Sequence, residues 1–235
     1  MKKYEFTEET LTYKGHILHC IKALIDFGDV KAGDLGGWVE KEENLSHEGN
    51  CWVANEAKVF GDAKVYGNAL VYHNAMVSGN AKVYGNAFVY HNAIVRDYAE
   101  VYDNANVSDN ALVCGHAWVY HFACVGGCAK VYDNARVYGN AFVYHDAIVC
   151  DHAEVKSHAL ITGNAIVKEM ADYIVFQNIW SSGRFFTWTR SNNMWRVGCF
   201  YGTGDELIIK AYKDSKESGD KYKIIVEAME MLNKC

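Results

Sequence analysis

From residue 51 to residue 172 an aliphatic side chain recurs at every sixth position without a slip, Val53 to Val167, with Ile161 as the one non-valine. Four residues after each aliphatic stands an alanine, from Ala57 to Ala171, which makes 20 consecutive hexads. The residues on either side of each valine alternate with it, so each hexad predicts a short strand with valine pointing inward and a corner built from the next small and polar residues. Gly, His or Asp two residues after valine and Asn three after it supply the corner, with Asn expected to take the left-handed backbone region. Three strands and three corners give an 18-residue triangular coil, and a fixed short period of this kind calls for a solenoid rather than a globular core. At roughly 4.8 Å per layer the nearly seven coils stack to a prism on the order of 30 Å long.

The hexad Val65-Tyr66-Gly67-Asn68-Ala69-Leu70 and its copies resemble the hexapeptide repeat of left-handed parallel β-helix proteins, over about half of the chain. The resemblance implies the left-handed coil, against the usual crossover preference, and a trimer as the working state. The fold class expected is therefore mainly β: a left-handed parallel β-helix of about seven coils over 51–172, a short β cap over 1–50 and a small α+β module over 173–235. Gly33 to Ser46, together with the array and the C-terminal module, looks like uncharacterised hexapeptide proteins carried by phages and prophages. That likeness names a setting, not an activity.

Stacking at 18 residues sorts the outward positions into three faces. One carries the ladder Tyr66, Tyr84, Tyr102, Tyr120 and Tyr138, flanked by Lys64, Lys82, Glu100, Trp118, Arg136 and Glu154. The second reads Leu70, Phe88, Asn106, Cys124, Phe142 and Leu160, with Tyr72, Tyr90 and Tyr144 across the valine. The third reads Met76, Ile94, Leu112, Lys130, Ile148 and Ile166. Two outward faces are thus largely apolar, which marks an interaction surface. Leu70, Tyr72, Phe88, Tyr90, Ile94, Leu112, Phe142, Tyr144 and Ile148 are the expected trimer contacts.

In the N-terminal segment Thr12–Gly15 reads as a turn before an extended stretch from His16 to Phe27, and Leu45 and Cys51 fall by count on the alanine position of an incipient coil. A cap over the open solenoid edge is its expected task. After the period breaks at Tyr173, two strands around Ser191–Asn193 form a hairpin, Thr203–Glu206 a capping box, and Ser218–Asp220 precedes a second helix, a ββαα module. Trp180, Arg184, Phe186, Trp188, Arg190, Trp195 and Arg196 crowd into it. Aromatics with arginine either bind a ligand or build a small core that docks on the coil.

Composition narrows the chemistry. Net charge of −6 with no Lys/Arg run argues against nucleic acid as a partner. No apolar stretch has the length of a membrane span, the first residues carry no signal core, and the eight cysteines form no compact disulfide framework, so a cytoplasmic protein without a cofactor is expected. His73, His91 and His145 share one corner row between the apolar faces. In acyltransferases of the resembled superfamily a catalytic histidine sits near an intersubunit cleft that holds acyl-CoA or a nucleotide-sugar, and a near-neutral imidazole can act as base. Those enzymes interrupt the coil with a loop that shapes the cleft, and this array has none. Val113 to His121 resembles the two-histidine stretch of γ-class carbonic anhydrases, which makes His116 and His121, with nearby Cys124 and Cys128, candidate metal ligands. The third histidine of that family is missing, since Asp103 stands one coil above His121. The leading expectation is a trimeric binding protein that blocks a host protein or sequesters a small anionic, nucleotide-like ligand. A CoA-dependent acyltransferase and a structural phage component are the alternatives.

Overall fold

The computed structural model describes residues 2–234. Its centre is a parallel β-solenoid of about seven turns made from 20 dipeptide strands, Trp52–Val53 to Ile166–Val167. These stack into three sheets, with partners 18 residues apart such as Phe88 with Asn106 and Val89 with Val107. The repeat's valines and alanines are 0–1% exposed and fill the prism. A coil of only 18 residues has a narrow interior, so one branched and one small side chain per hexad complete it. Burying each valine contributes roughly 1.5–3 kcal/mol.

The corners correct one detail. The left-handed residue is the one two after valine, as in His73 (φ 58°), Asp103 (φ 57°) and Gly67 (φ 70°), and not the asparagine beyond it. The asparagines instead form amide ladders between coils: Asn68 Nδ2 donates to Asn86 Oδ1 at 3.0 Å, and Asn86 to Asn104 at 3.2 Å. Stacking of identical side chains at the interstrand spacing is what fixes their position.

The N-terminal segment contains one more strand than the His16–Phe27 stretch suggests. Tyr4–Tyr13 and His16–Ala23 form an antiparallel hairpin, and Leu35–Val39 joins it to the third face of the solenoid. Trp38 and Val39 pair in parallel with Lys58 and Val59, an offset of 20 rather than 18. Leu45 bridges Val65 and so fills the valine position, not the alanine position that counting assigns. Two extra residues in the corner around His47–Gly49 account for the shift, because Cys51 is back in alanine register, donating its N–H to Gly67 O.

The C-terminal module is a four-stranded antiparallel sheet with two helices, not a two-stranded one. The strands are Tyr173–Gln177, Phe185–Thr189, Met194–Val197 and Phe200–Gly202. Gly198, with φ 54°, turns the chain between the last two, which the sequence reading ran together. Helix α1 (Gly204–Asp214) begins at the expected capping box, where Thr203 accepts from the Glu206 N–H. Helix α2 (Lys216–Lys234) starts before Ser218–Asp220, capped by Ser215 Oγ accepting from Ser218 N at 3.0 Å. Gly219 lies inside α2, where a Cβ would come within 2.2 Å of the Tyr212 ring of α1. The glycine is there for helix-to-helix approach, not to stop the chain.

The two ends of the solenoid need opposite chemistry. Each coil donates N–H to the C=O of the next, so the first coil has spare carbonyls and the last spare N–H groups. At the start, the fully buried Lys3 ammonium donates to Cys51 O at 2.8 Å and Gly49 O at 3.3 Å, and the buried Asn44 amide donates to Ala63 O and Gly61 O at 2.7 and 3.0 Å. At the finish, three hydroxyls accept: Tyr173 from Lys156 N at 3.2 Å, Thr187 from Leu160 N at 2.9 Å and Ser191 from Ile166 N at 2.7 Å. One hydroxyl serves each face.

Candidate functional site

The aromatic second face starts at a cleft of about 380 Å³. Phe27 and Val30 from the loop after the N-terminal hairpin form one wall, and Trp52, Leu70, Tyr72 and Phe88 from three successive coils form the other. Asn50, Asn55 and Asn68 rim it. The rows are rigid: Tyr72 stacks on Tyr90 at 5.1 Å and 4°, and Phe27 meets Trp52 edge-on at 5.4 Å. A small volume lined by stacked rings, with a few amides at the edge, is the usual make-up of a ligand site.

Around the corner runs an open groove lined by His73, Asn74, His91, Asn92, Asp109 and Asn110. His73 stacks on His91 at 5.0 Å and 7°, and Tyr72 touches His73 at 4.9 Å, which joins groove and cleft. His91 Nδ1 lies 3.1 Å from Asp109 Oδ1. Asp109 Oδ2 accepts from Gly127 N at 3.0 Å and from Ser108 Oγ at 3.2 Å. The Gly127 N–H first, then His91 and Ser108, hold the Asp109 carboxyl below its usual range. His145 does not join this pair. It stands three coils away in the same row, its Nδ1 at 2.6 Å from Thr162 Oγ1. The three candidate histidines are thus one stacked pair and one distant singleton.

Further along the second face both outward rows turn small or polar together, at Asn106 and Ser108 and then at Cys124 and Gly126. Tyr144 leans into this notch. A Cβ on Gly126 would meet its Cε1 at 2.5 Å and the Asp109 and Ser108 side chains at 3.0 Å. Burial first, then the neighbouring Cys124, Tyr90 and Asp109, push Tyr144 up to about 12. Of the other outward residues expected at a trimer contact, Leu70, Phe88, Tyr90, Ile94, Leu112 and Ile148 are half-buried, and Phe142 is exposed. Phe122, at a corner and 59% exposed, is an apolar side chain that the reading by faces passed over, because corners were taken as polar.

The largest cleft, about 670 Å³, lies on the tyrosine face and its corner. Its charges are largely spent on each other: Lys41 pairs with Asp62 at 2.8 Å and Lys82 with Glu100 at 2.9 Å. The ladder Tyr66 to Tyr138 beside it stacks at 4.7–4.9 Å. We therefore give the smaller aromatic cleft more weight as a binding surface.

The metal candidates are scattered over the prism. His116 stacks on Tyr98 at one corner, His121 sits 3.9 Å from Asp103 at another, Cys124 is on a strand, and Cys128 is exposed at the third corner. Nearness in sequence misled here, because a solenoid sends residues five apart to different corners. Among the described residues one group, Asp133, Cys150 and Asp151, brings three possible ligand atoms within 4.8 Å of one another. The seven described cysteines are all unpaired, and Cys235 lies outside the described residues.

In the C-terminal module Phe186, Trp188 and Trp195 are 0–1% exposed and form the core with Leu207, Tyr222 and Val226. They are unavailable to a ligand; a sheet this small needs its largest rings inside. Trp180 is half-buried with its indole N–H unpaired, Arg196 half-buried, and Arg184 and Arg190 exposed. No helix among the described residues is long and apolar enough to cross a membrane.

Fold and surface together define a hexapeptide-repeat β-solenoid with a capped end and a small α+β module. The array matches the family model described as YdcK β-solenoid repeat at residues 63–79, 81–97, 129–141 and 135–151. Over 70 residues the chain is 40% identical to a protein of Escherichia coli (strain K12) described as "Uncharacterized acetyltransferase YdcK". That match spans 26% of this chain and 22% of the relative.

Proposed function

We propose that this protein is a non-catalytic trimeric binding protein that sequesters a small anionic, nucleotide-like ligand at the aromatic cleft. The observation that carries the reading is the junction of the 380 Å³ cleft with the stacked His73–His91 pair through Tyr72. A planar ring has Phe27, Trp52 and Tyr72 to lie against. An anionic tail has two imidazoles to run along. A sister subunit packed on the apolar rows at Ile94, Leu112 and Ile148 would supply the outer wall, making the cleft intersubunit. Binding without turnover is supported by the uninterrupted array, which has no loop to close over a substrate, and by His91 and His145 being engaged by Asp109 and Thr162. The phage or prophage setting that Gly33–Ser46 resembles fits sequestration, and fits equally the blocking of a host protein.

One observation favours a second reading. The Escherichia coli relative is described as an acetyltransferase, and a corner histidine is the group that would serve as base in acyl transfer. Native mass spectrometry of the protein purified from its host tests both. The expected result is a trimer carrying a small ligand, released chemically unaltered on denaturation and lost in Trp52→Ala. Acetyl-CoA turnover that disappears when His73, His91 and His145 are changed together to alanine would overturn the binding reading.

A further inference from the structure

A cavity of about 340 Å³ lies in the C-terminal module, between the sheet, the turn Asn178–Arg184 and the junction of α1 with α2. Its apolar floor includes Phe200, Leu207 and Tyr222, and its rim carries Arg184, Lys210 and the hydroxyls of Ser181, Ser182, Ser215 and Ser218. We propose that this cavity is a binding site for a small phosphate monoester with an apolar or aromatic body, separate from the cleft on the solenoid.

Arg184 and Lys210 make no ion pair among the described residues; the nearest recorded neighbour of the Lys210 ammonium is the Phe200 ring, 6.0 Å from its centroid. Elsewhere in this chain most lysines near a cleft are paired, so two unpaired cations on one rim stand out. Asp214 also lines the cavity, which leaves the lining with two cations against one carboxylate. Ser218 is 8% exposed, and its hydroxyl makes no hydrogen bond with a described residue. It lies in the first turn of α2, a 19-residue helix whose free N–H groups favour an anion.

The Arg184 backbone is held in place. Asn178 N donates to Arg184 O at 2.8 Å, Gly183 N to Asn178 O at 2.8 Å, and Ser181 N to Asn178 Oδ1 at 3.0 Å. The buried Asn178 amide in turn donates to Tyr222 Oη at 3.1 Å. A guanidinium on a fixed turn facing a helix N-terminus suits the three oxygens of a phosphate better than a single carboxylate. The ring floor distinguishes an ester from inorganic phosphate.

Titration calorimetry on the full chain tests this with phenyl phosphate, inorganic phosphate and phenol as probes. Phenyl phosphate is expected to bind saturably and to weaken as salt rises. Inorganic phosphate is expected to bind at least tenfold more weakly, and phenol not at all. Arg184→Gln and Lys210→Gln, both at exposed positions, are each expected to cost tenfold or more in phenyl phosphate affinity while Trp52→Ala leaves it unchanged. No saturable binding by the wild type, or binding that both glutamine variants retain, overturns the proposal. So does binding only of a phosphoserine peptide, which would make the cavity a macromolecular contact.

Discussion

Thr187→Val tests the claim that the last coil is closed by hydroxyl acceptors. Thr187 is 1% exposed, and its Oγ1 accepts from Leu160 N at 2.9 Å. Valine keeps the shape and removes the oxygen, so the Leu160 N–H is left without a partner beneath the C-terminal sheet. An orphaned buried donor costs about 1–3 kcal/mol. Contacts in a solenoid run only between neighbours, so the loss should fall on the last coils and the module, not spread along the array. Hydrogen exchange reads this directly: protection of the Leu160 amide should drop by roughly 10- to 100-fold, with amides of the Val89 and Val107 coils unchanged. Thr187→Ser keeps the oxygen and should retain most of the protection. If Thr187→Val shows wild-type exchange at Leu160 and an unchanged urea midpoint, the account of edge closure is wrong.

Lys3→Met should destabilise the first coil by about 2 kcal/mol in chemical denaturation, since orphaned carbonyls at Cys51 and Gly49 outweigh relief of the buried ammonium. Gly126→Ala should force Tyr144 out of its notch, at about 1–3 kcal/mol. A tyrosinate absorbance titration should then show one step move down from about pH 12. Asp109 has a folded pKa below its unfolded one, so its contribution is full above the ordinary carboxylate range and is lost as pH falls through the folded value. Asp109→Asn should flatten the acid side of the stability–pH curve below about pH 4. The tyrosine faces act in the opposite sense. Tyr102 and Tyr144 are raised to about 12, with burial the largest cause in each, so their contribution is present below about pH 10 and is lost as pH rises through about 12, as alkaline circular dichroism should record.

The solenoid was legible because its signal repeats: each valine and alanine is tested again one coil on, and the 18-residue rows place Tyr66 over Tyr84 with no further information. What failed were single events. The two-residue shift that moves Leu45 to a valine position has no counterpart elsewhere in the chain, so counting by sixes ran through it. Asparagine carries both a left-handed tendency and an amide that stacks, and only the coil-to-coil distance decides that stacking wins. The Trp188 and Trp195 rings looked like binding anchors because composition does not tell a hot spot from a core; in a module of about 60 residues the core takes the largest rings first. The His73–His91 pair could be read from the row, but its joining to Phe27 could not, since that loop reaches the second face only after the hairpin has folded across the first coil.

The polarity of the ladder also bears on where a partner can sit. Donors at one end and acceptors at the other would let two uncapped prisms join head to tail without limit, because the spare N–H groups of one match the spare carbonyls of the next. Lys3 and Asn44 at the start, with Tyr173, Thr187 and Ser191 at the finish, occupy principal hydrogen-bonding positions on which such growth depends. With the ends closed, the repeated surface still without a partner lies along the sides. There the tyrosine face largely neutralises its own charges, whereas the second face presents Leu70, Phe88 and the exposed Phe142 to solvent. Lateral contact, by a sister subunit or by a ligand entering the Trp52–Tyr72 cleft, is what this distribution favours.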